Sequence, residues 1–419
     1  MTGKIDLAYG SRSVEFSFDE DRFSIISANQ PKPGPLSDFE VGALIDTPID
    51  SDPLDELVTA GDSVLIVVSD ATRATASAQI VNLLVRRLVQ VGVSPERLAI
   101  IFATGIHRPV SEKERVELLS PFIVQRLQVL DHDAHDSSRL TTLGKTDSGV
   151  TVAVNKALLE FSTVILTGGV SFHYFAGFTG GRKSICPGLA SAETIDATHM
   201  LALAEGGRAK SVGAGRLDGN PVHEECERVA QLVAPAFGVN TIVDESKKAV
   251  SVFSGDWRLA HRAACDHYLE EYSAWIPSKR DVVVTSCGGL PHDINLIQAH
   301  KALDMASLAC NDGGTIILLA ECRDGLGRAD FLKWFGDNDS RMLAARLSGG
   351  YEVNGQTAWA LMSKAERFRV CLVSELSDDD VERMRMIPVS NIAEGLESAG
   401  SGDGFIMPRG AAVLPRISK

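Results

Sequence analysis

Long apolar runs are missing from this sequence. No stretch approaches the roughly 20 residues that a membrane-spanning helix needs, which removes helical membrane proteins from the expected classes. The first residues, MTGKIDLAYGSRSVEF, hold no secretory hydrophobic region, so a cytoplasmic location is expected. No C-x-x-C pair occurs. The seven cysteines (Cys186, Cys226, Cys265, Cys287, Cys310, Cys322 and Cys371) are odd in number, which argues against a disulfide framework or a structural zinc site. Most are expected to be small buried apolar residues. A basic stripe is lacking too: 41 Lys and Arg stand against 55 Asp and Glu, a formal net charge of −14 with the acids scattered. Nucleic acid is therefore not an expected partner. Internal repeats and low-complexity segments are absent as well.

What remains is the composition of a globular enzyme, 44% hydrophobic and 23% charged. A chain of 419 residues exceeds the size at which single cores usually split, so two domains are expected. Short β-branched runs recur: SVLIVVS (63–69), LAIIFA (98–103), LQVL (127–130), TVILT (163–167), DVVVTS (281–286), TIILLA (315–320) and RVCLVS (369–374). Near-continuous apolar runs predict strands covered on both faces, as in parallel sheets. Amphipathic helices lie between them, for example over 76–91. Another starts at Ser111, where Ser111 and Glu114 match a capping box. The expected fold is α/β, with two α/β domains built on mainly parallel twisted sheets. A proline among charges in AWIPSKRD (274–281) predicts a division into 1–275 and 276–419, with the last run, GFIMPRGAAVLP, open to either domain.

Ligands of open α/β sheets bind beyond the carboxyl ends of the strands. Four unusual clusters follow strand ends here. Asp70-Ala71-Thr72-Arg73 follows Ser69, and Thr104-Gly105-Ile106-His107-Arg108 follows Ala103. The run GGVSFHYFAGFTGGRKSICPG follows Thr167 and carries His173 and Lys183. CGGLPHDINLIQAHK follows Ser286 and carries Gln298 and Lys301. Each has a plainer reading. Asp70 with Arg73 is equally a turn with a surface ion pair, His107 alone reads more readily as a core histidine, and Gly177, Gly180 and Gly181 can serve only backbone turns. Lys183 inside a glycine-rich turn is harder to explain that way, since a solvated lysine needs no such neighbours.

Two phosphate-loop readings of the glycines are weak. GFTGGRKS resembles G-x-x-x-x-G-K-[ST] from Gly177, but Arg182 occupies the final glycine position and compromises close approach to phosphate. GAGRLDG, with Gly213, Gly215 and Gly219, has one residue too many for the dinucleotide fingerprint and follows no clear strand.

The segment SFHYFAGFTGGRKSICPGLASAETIDATH, 171–199, resembles the lactate racemase family. SDATR at Ser69, ATGIHR at Ala103, DGNPVHE at Asp218, PHDINLIQAHK at Pro291 and CRDGLG at Cys322 match in family order across nearly the whole chain. The resemblance implies a nickel-pincer nucleotide, a pyridinium mononucleotide with two sulfur-bearing arms and a carbon–nickel bond. Lys183 would be tethered to one arm, and His199 would be the protein ligand to nickel. Thr72, Gly180 and Gly181 would lie with the cofactor. His107 and His173 would be the catalytic acid–base pair, and Asp70 and Arg73 would sit beside the substrate. Gln298 and Lys301 would reach in from the second domain to a site in the inter-domain cleft. The first domain would hold cofactor and catalysis, and cofactor-synthesis enzymes would be the loading partners.

The chemistry of the residues agrees with these implied roles. Inverting a carbon that bears hydroxyl and carboxylate needs a group to fix the carboxylate, and Arg73 offers a planar bidentate fork. Removing the hydroxyl proton suits a neutral histidine, and two are needed because the hydroxyl lies in different places in the two enantiomers. The loop departs from the lactate pattern at Ile297, where the family has tyrosine, and at His292 and Ile294. The expected substrate therefore widens to 2-hydroxyacids with longer or differently functionalised side chains. Two other readings stand beside this one. A cofactor-free two-base racemase gives no role to Lys183 and His199, and a non-catalytic nickel-cofactor-binding protein gives none to His107, His173 and Arg73.

Overall fold

The structure, a computed structural model, describes residues 1–28, 34–204, 207–336, 339–349 and 354–418. It divides into two compact units, and they are not two consecutive halves of the chain. One spans Pro31–Ala202 and Lys210–Tyr268; the other spans Met1–Gln30, Leu203–Ala209 and Leu269–Lys419.

The first unit is built on a six-stranded sheet. Its spatial order is Ala249–Gly255, Phe237–Val243, Thr163–Gly169, Val64–Ser69, Leu98–Ala103 and Gln128–Leu130. Neighbours are parallel except the first pair, which is antiparallel. The apolar runs explain this: Val64 to Val68 are all 0% exposed, as strands covered on both faces must be. The helix Ser77–Val91 buries Ile80, Val81, Leu84 and Leu88 against the sheet and ends at Gly92 in the left-handed region. The capping box at Ser111 is present, with Ser111 accepting from the Glu114 amide and Glu114 reaching back to the Ser111 amide. Numbered along the chain, the strand order is 6-5-4-1-2-3. The sense of winding therefore reverses between Val64–Ser69 and Thr163–Gly169, the position where a doubly wound sheet opens a crevice.

The second unit holds a six-stranded, all-parallel sheet. Its order is Ile387–Pro388, Arg369–Val373, Cys310–Leu319, Arg280–Ser286, Gly404–Met407 and Phe23–Ile25. The N-terminal hairpin Thr2–Tyr9 with Arg12–Asp19 puts Leu7, Tyr9, Phe16 and Phe18 into one core with Val282, Val284, Ile317 and Ile406. That burial, worth about 1.5–3 kcal/mol for each large side chain, accounts for the first residues folding with the C-terminal sheet. The final run also lies in this unit, with Leu414–Ile417 pairing in parallel with Ser273–Ile276.

The segment Leu203–Ala209 is held to this unit by a buried ion cluster. Asp304 accepts from Arg208 at 2.7 Å and from Lys364 at 2.6 Å, and both Asp304 and Lys364 are buried. Burial pushes the Asp304 carboxyl up, but the two cations outweigh it and hold it below the ordinary carboxylate range. This contribution to stability is therefore present above the unfolded carboxylate pKa and lost as pH falls through the folded one. Replacing Asp304 with Asn leaves Lys364 buried without its counter-charge. Urea unfolding should show a loss of about 3–5 kcal/mol, and a loss below about 1 kcal/mol would mean that the cluster is effectively solvated.

Candidate active site

The crevice of the first unit collects the loops that leave three strands. The chain leaving Val64–Ser69 makes a tight turn at Asp70, with the Arg73 amide donating to the Asp70 carbonyl at 3.2 Å. Asp70 is buried. Its Oδ1 accepts from the Thr72 amide at 3.0 Å and from the Thr72 hydroxyl at 2.6 Å, and its Oδ2 lies 2.7 Å from His107 Nδ1. Burial pushes this carboxyl up, but the hydrogen bonds from His107 and Thr72, with the charge of Arg73 added, hold it below its ordinary value. The ionised carboxylate thus fixes His107 with its proton on Nδ1 and its lone pair on Nε2, the arrangement of an oriented base. The side chain of His107 is 45% exposed, so it is not a core histidine. The close partner of Asp70 is His107, not the Arg73 of the plainer ion-pair reading.

The second loop is joined to the third by the backbone. Gly105 N donates to Gly188 O at 2.8 Å, and Gly188 N donates to Lys183 O at 3.0 Å. The third loop leaves Thr163–Gly169, forms the short hairpin Phe172–His173 with Gly177–Phe178, and turns through Gly180 and Gly181 into a single 3-10 turn, Gly181–Ser184. This is not a phosphate loop opening a long helix. Gly181 has φ +51°, its amide donates to Asn240 Oδ1 at 3.1 Å, and a Cβ there would collide with the ring of His261. Only glycine lets the turn sit that close.

Lys183 and His173 meet in this loop, with Lys183 Nζ 3.2 Å from His173 Nε2. His173 Nδ1 is taken from the other side, accepting from the amides of Phe175 at 3.2 Å and Ala176 at 3.1 Å. Next to Lys183, the guanidinium of Arg182 is 1% exposed; it donates to Ala176 O at 2.7 Å and Gly180 O at 3.3 Å and lies 3.0 Å from His261 Nε2. Burial pushes Lys183 down to about 7, with the charges of Arg73 and Arg182 acting in the same direction. Burial likewise pushes His199 down to about 3, with Lys183 and His107 adding to the effect. His199 ends the helix Ala192–Met200, whose N-cap Ser191 accepts from the Thr194 amide. Near neutral pH this crevice therefore offers an uncharged imidazole at His199 and an amine at Lys183 that exchanges readily between its charged and uncharged forms. Among the described residues, no group of three or more His, Cys, Asp or Glu is arranged to hold a metal ion.

In the second unit, Gln298 and Lys301 are neighbours on the helix Leu296–Ala309, and Lys301 Nζ donates to Gln298 Oε1 at 2.7 Å. The N-cap Asn295 accepts from the Gln298 amide at 3.0 Å and fixes the start of that helix. Gly327 of the CRDGLG turn packs against Ile297 and Asn295.

Reading the sequence singled out Asp70, Thr72, Arg73, His107, His173, Gly180, Gly181 and Lys183, which lie on the crevice loops of one unit, His199 in the last turn of a helix of that unit, and the Gln298–Lys301 pair in the other. It missed three supporting residues. Arg182 was read only as a spoiled glycine position, although a cation inside a glycine run is itself a sign of a specified environment. Asn240 and His261, which hold the turn, carry no local sequence signal.

The basicity of Lys183 can be checked directly. Acylation by a small amine-directed reagent, read by peptide mass spectrometry across pH, should show half-maximal reactivity near 7. Exposed lysines should follow an ordinary value of about 10.4. Because the shift is downward, Lys183 should stand out most between these two values, and a midpoint near the ordinary value would mean that the loop is open to water.

Comparison with known proteins gives one consistent result. Residues 9–211 match the family of lactate racemase N-terminal domains and residues 276–413 that of lactate racemase C-terminal domains. The chain is 32% identical to the lactate racemase of Lactiplantibacillus plantarum over 425 residues, covering 98% of this chain and 99% of that protein. It is 30% identical to the lactate racemase of Thermoanaerobacterium thermosaccharolyticum over 426 residues, covering 98% and 99%. The apoprotein structure of a lactate racemase from that second organism superposes with a TM-score of 0.90 at 28% identity, covering 99% of this chain and 100% of that one. A protein from Thermotoga maritima shares the fold, with a TM-score of 0.68 at 17% identity, covering 93% of this chain and all of that one. With its crevice geometry and these full-length relatives, the chain belongs to the lactate racemase family.

Proposed function

We propose that this chain is a racemase or epimerase of a 2-hydroxyacid and inverts C2 through a 2-keto acid, with a nickel-pincer nucleotide as its cofactor. The observation that carries this reading is the presence of two sets of groups in one unit, on the crevice loops and on the helix Ala192–Met200 that follows them. Asp70, His107 and His173 are suited to proton handling, while Lys183 and His199 are depressed in basicity and suited to holding a cofactor. A cofactor-free two-base racemase would need only the first set, and a cofactor carrier only the second.

The residues present fit the cofactor. An uncharged amine at a fixed turn is the form of lysine that can be acylated, and an uncharged imidazole is the form of histidine that ligates a metal. Lys183 would carry the covalent tether and His199 the nickel, with Thr72, Gly180 and Gly181 beside the group. When bound, the cofactor supplies a site that accepts hydride from C2 and returns it.

The rest is the work of the chain. Arg73 holds the substrate carboxylate by a bidentate pair. His107 takes the hydroxyl proton at Nε2, and Asp70 stabilises the imidazolium that forms, as a carboxylate behind a histidine base does. His173 serves the oxygen in the other enantiomer. Gln298 and Lys301 add polar contacts to the substrate. Ile297, His292 and Ile294 lie in the loop and helix start beside that pair, and they make a 2-hydroxyacid other than lactate a candidate substrate. Cofactor-synthesis enzymes would load the protein in the cytoplasm.

Protein produced together with those enzymes should show a nucleotide-sized mass adduct, absent from Lys183→Ala, and His199→Ala should lose nickel and activity together. An unmodified, nickel-free and fully active protein would refute the cofactor assignment. General acid–base catalysis contributes roughly 10²- to 10⁴-fold, so His107→Gln and His173→Gln should each lose at least that much racemisation in both directions. Substrate carrying deuterium at C2 should keep it in the inverted product. Extensive washout into water would favour direct proton abstraction by two bases.

A further inference from the structure

The motif DGNPVHE, 218–224, plays no part in the reading above, yet its asparagine reaches the catalytic loop. Asn220 is 0% exposed and caps the helix Pro221–Val233, its Oδ1 accepting from the amides of Val222 at 3.1 Å and His223 at 3.4 Å. Its Nδ2 points the other way and donates to Phe175 O at 2.7 Å and Arg216 O at 3.0 Å. Phe175 O and Ala176 N belong to one peptide group, and that Ala176 N–H donates to His173 Nδ1 at 3.1 Å. A continuous chain of donors therefore runs from the helix N-terminus through the Asn220 carboxamide and one peptide to the imidazole.

The surrounding contacts hold that peptide in place. Gly215 N donates to Gly177 O at 3.0 Å, and Arg182 donates to Ala176 O at 2.7 Å. Gly177, at φ +79°, lies so close to Arg216 O that a side chain there would collide with it. The loop GAGRLDG, which resembled a degraded dinucleotide motif, is thus a template against which 175–177 is moulded.

We propose that Asn220 is a positioning residue for His173: through the Phe175–Ala176 peptide it keeps Nδ1 as a hydrogen-bond acceptor, so in the substrate-free chain the imidazole carries its proton on Nε2 and must give that proton up before it can take one from a substrate. A neutral imidazole that accepts at one nitrogen carries its proton on the other. The contact between Nε2 and Lys183 Nζ is then an N–H donating to an amine lone pair. The two histidines meet the crevice in opposite forms, His107 with a lone pair on Nε2 and His173 with a proton there. The inference rests on the proposed role of His173 only for its effect on turnover; the tautomer itself stands on the hydrogen bonds alone.

The test uses the full chain labelled with nitrogen-15 histidine and long-range proton–nitrogen correlation spectra, with His173 assigned by its absence from His173→Gln. In the wild-type chain Nδ1 should resonate in the pyridine-type range and Nε2 in the pyrrole-type range. Asn220→Asp and Asn220→Ser both retain a side-chain oxygen that caps the helix, and neither can donate to Phe175 O while doing so: ionised Asp has no donor, and the serine hydroxyl is on a shorter arm. In each, the two nitrogen shifts should move towards each other; the serine variant should unfold near the wild-type midpoint and the aspartate variant below it, because its carboxylate is buried against the carbonyls of Phe175 and Arg216. In cofactor-loaded enzyme the same variants should change kcat while KM stays near that of the wild type, because they alter which nitrogen of a working histidine carries the proton. A pyrrole-type Nδ1 in the wild-type chain would overturn the proposal whatever the variants do. So would His173 shifts unchanged in both variants. Full racemase activity in His173→Gln would instead overturn the functional reading and with it the effect on kcat, while the nitrogen shifts still judge the hydrogen-bond chain.

Discussion

The reversal of winding between Val64–Ser69 and Thr163–Gly169 governs where chemistry can occur in the first unit. Right-handed crossovers carry the chain from one of these strands to one face of the sheet and from the other to the opposite face. The loops therefore part at the carboxyl ends, and the space between them cannot be filled by either connection. Asp70 and Arg73 stand on one lip, His173 and Lys183 on the other, and the loop after Leu98–Ala103 brings His107 to Asp70. Backbone bonds from Gly105 to Gly188 and from Gly188 to Lys183 then make three separate loops a single platform.

One expensive feature of that platform is the burial of Arg182 among carbonyl groups and an imidazole. Sealing a guanidinium away from water opposite neutral groups costs free energy that a carboxylate partner would have reduced. What the fold gains is a fixed positive charge beside Lys183, in a place where solvent cannot screen it. With Arg73 it acts on the neighbouring amine in the same direction as burial does. Asp70 shows the opposite balance. There the donors outnumber the effect of desolvation, and the carboxylate remains charged and able to orient a base.

Much of this was legible in the residues because it is local. Apolar runs of five or six residues announced the strands, and polar loops behind them announced the crevice. Ser111 with Glu114 announced a helix start that the structure contains. What escaped depends on partners far away in the chain. Phe23 pairs beside Gly404, so the first strands belong with the C-terminal sheet, and no pattern near residue 23 encodes that neighbour. The Asp70–His107 bond likewise joins two loops far apart in sequence, and neither loop by itself encodes the pairing. Asn220 is intermediate. Asn before Pro is a helix-start signal, but which carbonyl its amide would reach could only be seen once the fold had placed Phe175 beside it.

The two histidines also differ in what their second nitrogen meets, and this bears on how a racemase can treat mirror-image substrates with a chiral site. His107 is backed by a full negative charge, which favours an imidazolium when the ring gains a proton. His173 is backed by two amide donors, which favour a neutral ring and oppose a proton on Nδ1. The site is thus not pseudo-symmetric in charge although it is symmetric in residue type. An equilibrium constant of one between enantiomers fixes only the ratio of kcat/KM values in the two directions, so such asymmetry is permitted. Wherever that asymmetry reaches the kinetics, equal kcat/KM values require the enantiomer with the lower KM to have the lower kcat.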